Sequence, residues 1–244
     1  MLPRIADCYA AQVPARPKIV LFDLDGTLVL TGGAGRRAMR RAFDAVCGRG
    51  DALDGVDFRG MTDRAIFRVG LGAAGYPTGD DVSEALRARY LAFLAEEVPR
   101  SPRYTVLPGV ERIVAALHPA HTNRQLALGL GTGNFQDGAR IKLRRAGLDV
   151  FFAFGGFGCD GEDRTAVIDA GVVRGAKHLG REPRGCAVWI VGDTPRDVHA
   201  AHAVGGVCLA VGTGGYSEQA LRDAGAEHFV PDLRDQRALD LLAP

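Results

Sequence analysis

The chain has 244 residues, enough for one large domain or two smaller ones with a substantial core. Hydrophobic residues make up 47% and charged residues 24%, the balance of an ordinary soluble globular protein. With 30 Lys and Arg against 29 Asp and Glu, the net charge of +1 gives no footing for a nucleic-acid or membrane partner.

Residues 1–17 carry Pro3, Pro14 and Pro17 and read as an arm leading into the first strand. Ile19, Val20, Leu21 and Phe22 then form an unbroken apolar run, the pattern of a parallel strand buried on both faces. It ends in Asp23-Leu24-Asp25-Gly26-Thr27. Acids two residues apart share one side while the backbone stays extended, and Gly26 permits a turn. An ordinary Asp-Gly turn accounts for Asp25 and Gly26, but not for Asp23 set directly against a buried run. Two such acids invite a divalent metal or an acid/base pair.

Past residue 31 the period becomes helical. Ala38, Met39, Ala42, Phe43 and Val46 predict a helix running to Gly48. Thr62 or Asp63 caps a second helix through Ala65, Ile66 and Val69. A third begins near Asp80 or Asp81 and carries Val82, Leu86, Tyr90, Phe93 and Leu94 before Pro99. No strand is predicted between Leu30 and Arg103, so residues 31–105 form a helical insertion of a size that suits a small module. From Leu107 strands and helices alternate as in α/β proteins. Val110, Ile113, Val114 and Leu117 mark a helix, and residues 126–130 a strand running into Gly131-Thr132-Gly133-Asn134. A helix with Ile141, Leu143 and Ala146, a short apolar piece over 150–154 and a long helix over 165–179 follow. Residues 187–191 form a buried strand ending in Gly192-Asp193-Thr194-Pro195-Arg196-Asp197. A helix through Val198, Ala201 and Val204 comes next, then strands over 207–211 and 228–230 separated by a helix over 217–224.

The five cysteines, Cys8, Cys47, Cys159, Cys186 and Cys208, contain no CxxC pair and suggest neither a zinc knuckle nor a redox motif. Cys186 and Cys208 border apolar runs and are expected in the core. With no secretory segment visible, a reducing cytoplasm is the expected setting.

Three strands thus end in polar clusters: Asp23 and Asp25, Thr132 and Asn134, Asp193 and Asp197. Right-handed crossovers between parallel strands bring their carboxyl ends to one edge of the sheet. Carboxylates gathered there repel unless a cation neutralises them, and an all-oxygen set suits Mg²⁺. Thr132 adds a hydroxyl, and the Gly133-Asn134 amides at a helix start add an anion site, so a phosphate ester is the economical ligand. Singly, Thr132-Gly133-Asn134 also fits plain loop chemistry, and Asp193 and Asp197 also fit acids capping the helix that Thr194-Pro195 begins.

LFDLDGTLV, GLGTGN and WIVGDTPRDV resemble motifs one, two and four of the haloacid dehalogenase-like (HAD) hydrolase superfamily, in the right order. The helical insertion after the first motif is similar to the C1-type cap of phosphoglycolate phosphatase-like members. The resemblance implies an α/β fold: a Rossmann-like core with a central parallel sheet flanked by helices (residues 18–30 and 106–244) and a small all-helical cap (residues 31–105). It also implies roles. Asp23 is the nucleophile that forms an aspartyl-phosphate, and Asp25 the acid toward the leaving alcohol and then the base for water. Asp23, the Asp25 carbonyl and Asp193 hold Mg²⁺, with Asp197 as a ligand or just outside. Thr132 and the backbone of Leu24 and Gly133, with Asn134 beside them, hold the phosphoryl group. The family's third motif supplies a Lys, but CDGEDRTAVIDAG has none. Arg164 stands closest to the expected place, with Lys142 and Lys177 as rivals, these two and Lys18 being the chain's only lysines.

Within the family, Asp25 favours phosphoryl transfer, because dehalogenating members usually lack an acid there. Residues 31–105 contain no lysine for the Schiff base of phosphonate-cleaving members. A β-phosphoglucomutase-like mutase is the closest rival, with Arg36, Arg37, Arg59, Thr62 and Arg64 as candidates for a second phosphate; Arg36 and Arg37 read better as a solvated helix face. In the FRGMTD turn, Arg59 and Asp63 are the candidates to read substrate polar groups. A non-catalytic binding module is disfavoured by the intact acids, and a dinucleotide binder by the missing G-x-G-x-x-G. The expectation is a Mg²⁺-dependent phosphatase, monomeric or homodimeric, acting on a small-molecule phosphate monoester.

Overall fold

Ile19, Val20, Leu21 and Phe22 are fully buried because β1 (Lys18–Phe22) runs through the middle of a six-stranded parallel sheet. The structure is a computed structural model that describes residues 16–77 and 79–244. The arm expected over residues 1–17, and Cys8 within it, therefore lie outside the described residues except for Arg16 and Pro17. After β1 comes β2 (Val29–Leu30), which pairs antiparallel with β3 (Thr105–Val106) where the chain leaves and rejoins the sheet region. Between them lie α1 (Ala34–Cys47), α2 (Asp63–Ala74) and α3 (Asp80–Arg100). The chain continues through α4 (Val110–Thr122), β4 (Leu126–Gly131), α5 (Gln136–Arg144), β5 (Gly155–Gly156) and α6 (Arg164–Leu179). It ends with β6 (Ala187–Gly192), α7 (Pro195–Ala203), β7 (Val207–Val211), α8 (Glu218–Asp223), β8 (His228–Val230) and α9 (Gln236–Leu242).

The strand order is β5-β4-β1-β6-β7-β8, all parallel, so the α/β architecture with helices on both faces is the one the sequence leads us to expect. Side chains alternate across β1. Val20 and Phe22 join the core under α4, α5 and α9, whereas Ile19 and Leu21 join the core under α6, α7 and α8. Register is what matters for the site. Phe22 stands opposite both Leu130 and Val191, so β1, β4 and β6 finish level with one another.

The helices α1, α2 and α3 bury a separate apolar cluster that includes Phe43, Phe67, Leu86 and Tyr90, and it is completed by Phe135 from the loop after β4. Arg36 and Arg37 are not a solvated face, because both reach partners. Arg37 pairs with Glu97 of α3 at 2.7 Å, while Arg36 donates to the carbonyls of Leu53 and Val56 and stacks 3.8 Å over Phe58.

Other differences are local. The apolar piece at 150–154 is a short 3-10 turn over Asp149–Phe151, and the edge strand is formed by two glycines just beyond it. Because β5 is so short, the Leu128 N–H of β4 has no strand partner there and donates to His121 Nδ1 at 3.2 Å. Burial, with His178 and His118 nearby, pushes His121 down to about 4. The helix expected to stop before Pro99 continues to Arg100, and α9 adds a C-terminal helix that the sequence reading omits.

Candidate active site

Level strand ends bring the first and third acid clusters together. Asp23 continues β1 for one more bond, its N–H donating to Val191 O at 2.8 Å. Asp193 follows β6 and accepts the Thr27 hydroxyl at 2.9 Å. Gly26, at φ 91°, turns the chain beside it, and a Cβ there would lie 2.5 Å from the Asp193 carboxylate. Asp197, in the first turn of α7, forms a capping box with Thr194, its Oδ2 accepting the Thr194 N–H and hydroxyl. Arg164, the first residue of α6, reaches across all of this. Its Nη2 lies 2.7 Å from Asp23 Oδ1 and 2.6 Å from Asp197 Oδ1, while its Nε is buried with no partner among the described residues. All four side chains are buried.

Electrostatics follow from that burial. Desolvation pushes Asp23 up to about 6, against the pull of Arg164 and with a further push from Asp197. Asp193 is raised well above the usual carboxylate range by burial, then by Asp23 and Asp197. Burial opposes the charge on Arg164, yet Asp23 and Asp197 together hold its pKa above the ordinary value. Asp23, Asp193 and Asp197 each offer a carboxylate oxygen within 4.8 Å of the others. An oxygen-only set with more negative than positive charge is what a hard divalent cation neutralises.

The second cluster is more open. The Asp25 side chain is 41% exposed and pairs with Lys142 Nζ at 2.5 Å, a lysine whose own side chain is 6% exposed. Asn134 ties the group together. Its amide nitrogen donates to Asp25 and to the Thr132 hydroxyl, both at 2.9 Å, and its oxygen accepts from Lys142 at 2.6 Å. The expected row of free amides after β4 is reduced, because α5 starts only at Gln136. The Asn134 N–H turns toward Thr132 Oγ1 and the Phe135 N–H goes to Asp63, which leaves only the Gly133 N–H of this turn without a partner among the described residues.

The insertion is fastened onto that same turn. The Asp63 N–H donates to Gly133 O at 2.8 Å, and Asp63 Oδ2 accepts the Phe135 N–H at 2.7 Å. Thr62 caps α2 by accepting the Ala65 N–H and donates its hydroxyl to Glu162 O at 2.7 Å. Met61 O crosses Gly133 so closely that a Cβ there would overlap it. Burial pushes Asp63 up to about 7, against the opposing charge of Lys142. Arg59 is half exposed, pairs with Asp57 at 2.7 Å and lies 4.9 Å over Tyr216.

Between the insertion and the strand ends lies a cavity of about 360 Å³. Asp23, Asp25, Thr132, Gly133, Asn134, Arg164 and Asp193 line it, with Arg59 and Asp63 from the insertion; Leu24 and Asp197 stand behind the wall. Lys177 is exposed on α6 and is not among the lining residues. Lys142 and Arg164 both line the cavity, each against a different acid. The signal for Lys142 is its spacing from Ala139, which puts it on the inward face of α5. Tyr90, read from sequence as one of an apolar stripe, also lines the cavity.

Comparison with known proteins agrees with this geometry. Residues 17–205 match the haloacid dehalogenase-like hydrolase family. A phosphoglycolate phosphatase from Synechococcus elongatus is 29% identical over 208 residues, covering 83% of this chain and 87% of that protein. A hydrolase from Pseudomonas syringae superposes with a TM-score of 0.64 at 22% identity, over 93% of this chain and 100% of the other. A "predicted phosphoglycolate phosphatase" from Haemophilus somnus gives 0.65 at 17% identity, over 93% and 99%. At such identities the structural likenesses bear on the fold.

Proposed function

Because the chain belongs to the haloacid dehalogenase-like hydrolases, we propose that it is a Mg²⁺-dependent phosphatase acting on a small phosphate monoester through an aspartyl-phosphate at Asp23. The observation that carries this reading is the unlike setting of two acids in one strand end: Asp23 buried against Arg164, Asp25 half exposed at the cavity. Asp23 attacks phosphorus while Asp25 gives a proton to the departing alcohol oxygen. Asp25 then takes a proton from the water that attacks the aspartyl-phosphate, and Asp23 is regenerated as phosphate leaves. Arg164, whose Nε has no partner among the described residues, supplies donors for the phosphoryl oxygens with the Thr132 hydroxyl and the Leu24 and Gly133 amides, while Asn134 holds Thr132 and Asp25 in place. Asp23, Asp193 and the Asp25 carbonyl would hold Mg²⁺, which would supply positive charge to offset the acids and the phosphoryl group. Asp197, whose two oxygens serve Thr194 and Arg164, fits just outside.

Residues 31–105 act as the cap on this core of residues 18–30 and 106–244, and keep bulk water from the intermediate. The placement of the arginines supports hydrolysis over the mutase: Arg36, Arg37 and Arg59 are committed to carbonyls, Glu97 and Asp57 rather than to a second phosphate site. We further propose a small-molecule substrate and a cytoplasmic setting. Among the described residues no helix is long and apolar enough to cross a membrane. The test is phosphate release from a panel of monoesters with Mg²⁺ and again with chelator. Mg²⁺-stimulated release is expected. No release from any ester overturns the reading, and net isomerisation of a sugar phosphate that needs a bisphosphate primer replaces it with the mutase.

A further inference from the structure

Among the residues lining the cavity is one whose polar atom no described protein group satisfies. Tyr90 of α3 is completely buried and its hydroxyl has no hydrogen-bond partner among the described residues. Buried hydroxyls are normally paired, and one left alone costs free energy. Its ring has no freedom to escape, being held edge-on by Phe67 at 6.0 Å and tilted against Phe135 at 6.4 Å. Burial, with the charges of Asp63 and Asp25 close by, keeps the phenol well above its usual pKa, so it stands there as a neutral O–H. Asp63 lines the same wall with one oxygen engaged by the Phe135 N–H and no described donor on the other.

The charges at this end select among leaving groups. Lys142 is engaged by Asp25 and Asn134, Arg36 by two carbonyls, and Arg59 by Asp57. A substrate carboxylate would find Lys142 and Arg59 already paired with acids and would face Asp25. A substrate hydroxyl meets no such obstacle: it can pair with the Tyr90 hydroxyl and donate to Asp63. At about 360 Å³ the cavity is near the small end of ligand sites, with room for a phosphate and a short carbon chain.

We propose that Tyr90, with Asp63 beside it, is a specificity-determining subsite for a hydroxyl on the leaving group, so that the preferred substrates are short hydroxylated phosphate esters rather than carboxylated or plain alkyl ones. This rests on the phosphatase reading for turnover, but its recognition chemistry is separable from it.

The test compares glycerol 3-phosphate, propyl phosphate, 2-phosphoglycolate and p-nitrophenyl phosphate on wild type and Tyr90→Phe. Wild type is expected to favour glycerol 3-phosphate over propyl phosphate and 2-phosphoglycolate by about tenfold in kcat/KM. Tyr90→Phe removes that advantage, leaves propyl and p-nitrophenyl phosphate within about twofold, and does not lower Tm, since the hydroxyl has no protein partner to lose. Equal losses on all four esters, a fall in Tm that accompanies the loss, or a preference for 2-phosphoglycolate untouched by the variant overturns the subsite. Calorimetry on Asp23→Asn reads the same discrimination as a ratio of Kd without turnover. Discrimination there that Tyr90→Phe abolishes, in a protein whose wild type hydrolyses nothing, supports the subsite and overturns the phosphatase reading. Turnover without discrimination in kcat/KM or Kd overturns the subsite alone.

Discussion

Two acids separated by one residue live in different media. Asp23 sits in a closed knot with Asp193, Asp197 and Arg164, every member buried. Asp25 stands at the cavity with 41% of its side chain exposed and a lysine against it. The boundary is the end of β1: Asp23 still makes a ladder bond to β6, and the chain turns at Gly26 immediately afterwards. The difference teaches how a fold can set neighbouring carboxylates in settings fit for separate work. Burial and fixed partners suit a group that must attack from one position, and access to ligand and water suits a group that must pass protons.

That contrast can be broken at each of its cations. Arg164→Met should have the largest effect, because it leaves three buried acids with no counter-charge. We expect a loss of order 10³-fold or more in kcat/KM and, in chelator, about 3–5 kcal/mol of stability by denaturant titration. Arg164→Lys should restore part of both, and wild-type stability in the Met variant would show that the knot does not depend on its arginine. Lys142→Met should be milder, since Asp25 can turn to water: about 10- to 100-fold in kcat with about 1 kcal/mol of stability. A stability loss as large as that of Arg164→Met would erase the distinction between the two regions.

The smallest effect on turnover concerns Asp63, which fastens the insertion to the turn after β4 and is read through stability against pH. Its ordinary pKa of 3.8 rises on folding to about 7. Between those values the unfolded chain releases the proton while the folded chain keeps it, so this group erodes stability as pH rises from about 4 to 7. Asp63→Asn keeps an acceptor for the Phe135 N–H and removes the erosion. Its Tm relative to wild type should climb across that window and level off above it; a flat difference would contradict the burial of the carboxyl.

The parallel sheet and the convergence of three strand ends were legible because they rest on unbroken apolar runs followed by acids, as in Ile19–Phe22 before Asp23. Other features left no such trace. Gly155 and Gly156 form a strand through pairing with β4 alone, against their own preference. Two-residue β2 and β3 are too short for periodicity to mark. Chain position does not reveal which acid an inward-facing side chain such as Lys142 will meet. Tyr90 fits the apolar stripe of α3 in every respect but the hydroxyl at its tip. Asp63 has backbone partners that only folding assembles.

The account turns on Asp23 as the attacking group, and trapping reads this directly. The protein is mixed with Mg²⁺ and a hydrolysable phosphate ester, quenched in acid during turnover, digested and examined by mass spectrometry. A phosphoryl increment on the peptide containing Asp23, absent in Asp23→Asn together with turnover, is the expected result. An increment on another residue, or an Asp23→Asn protein that turns over at the wild-type rate, would contradict it.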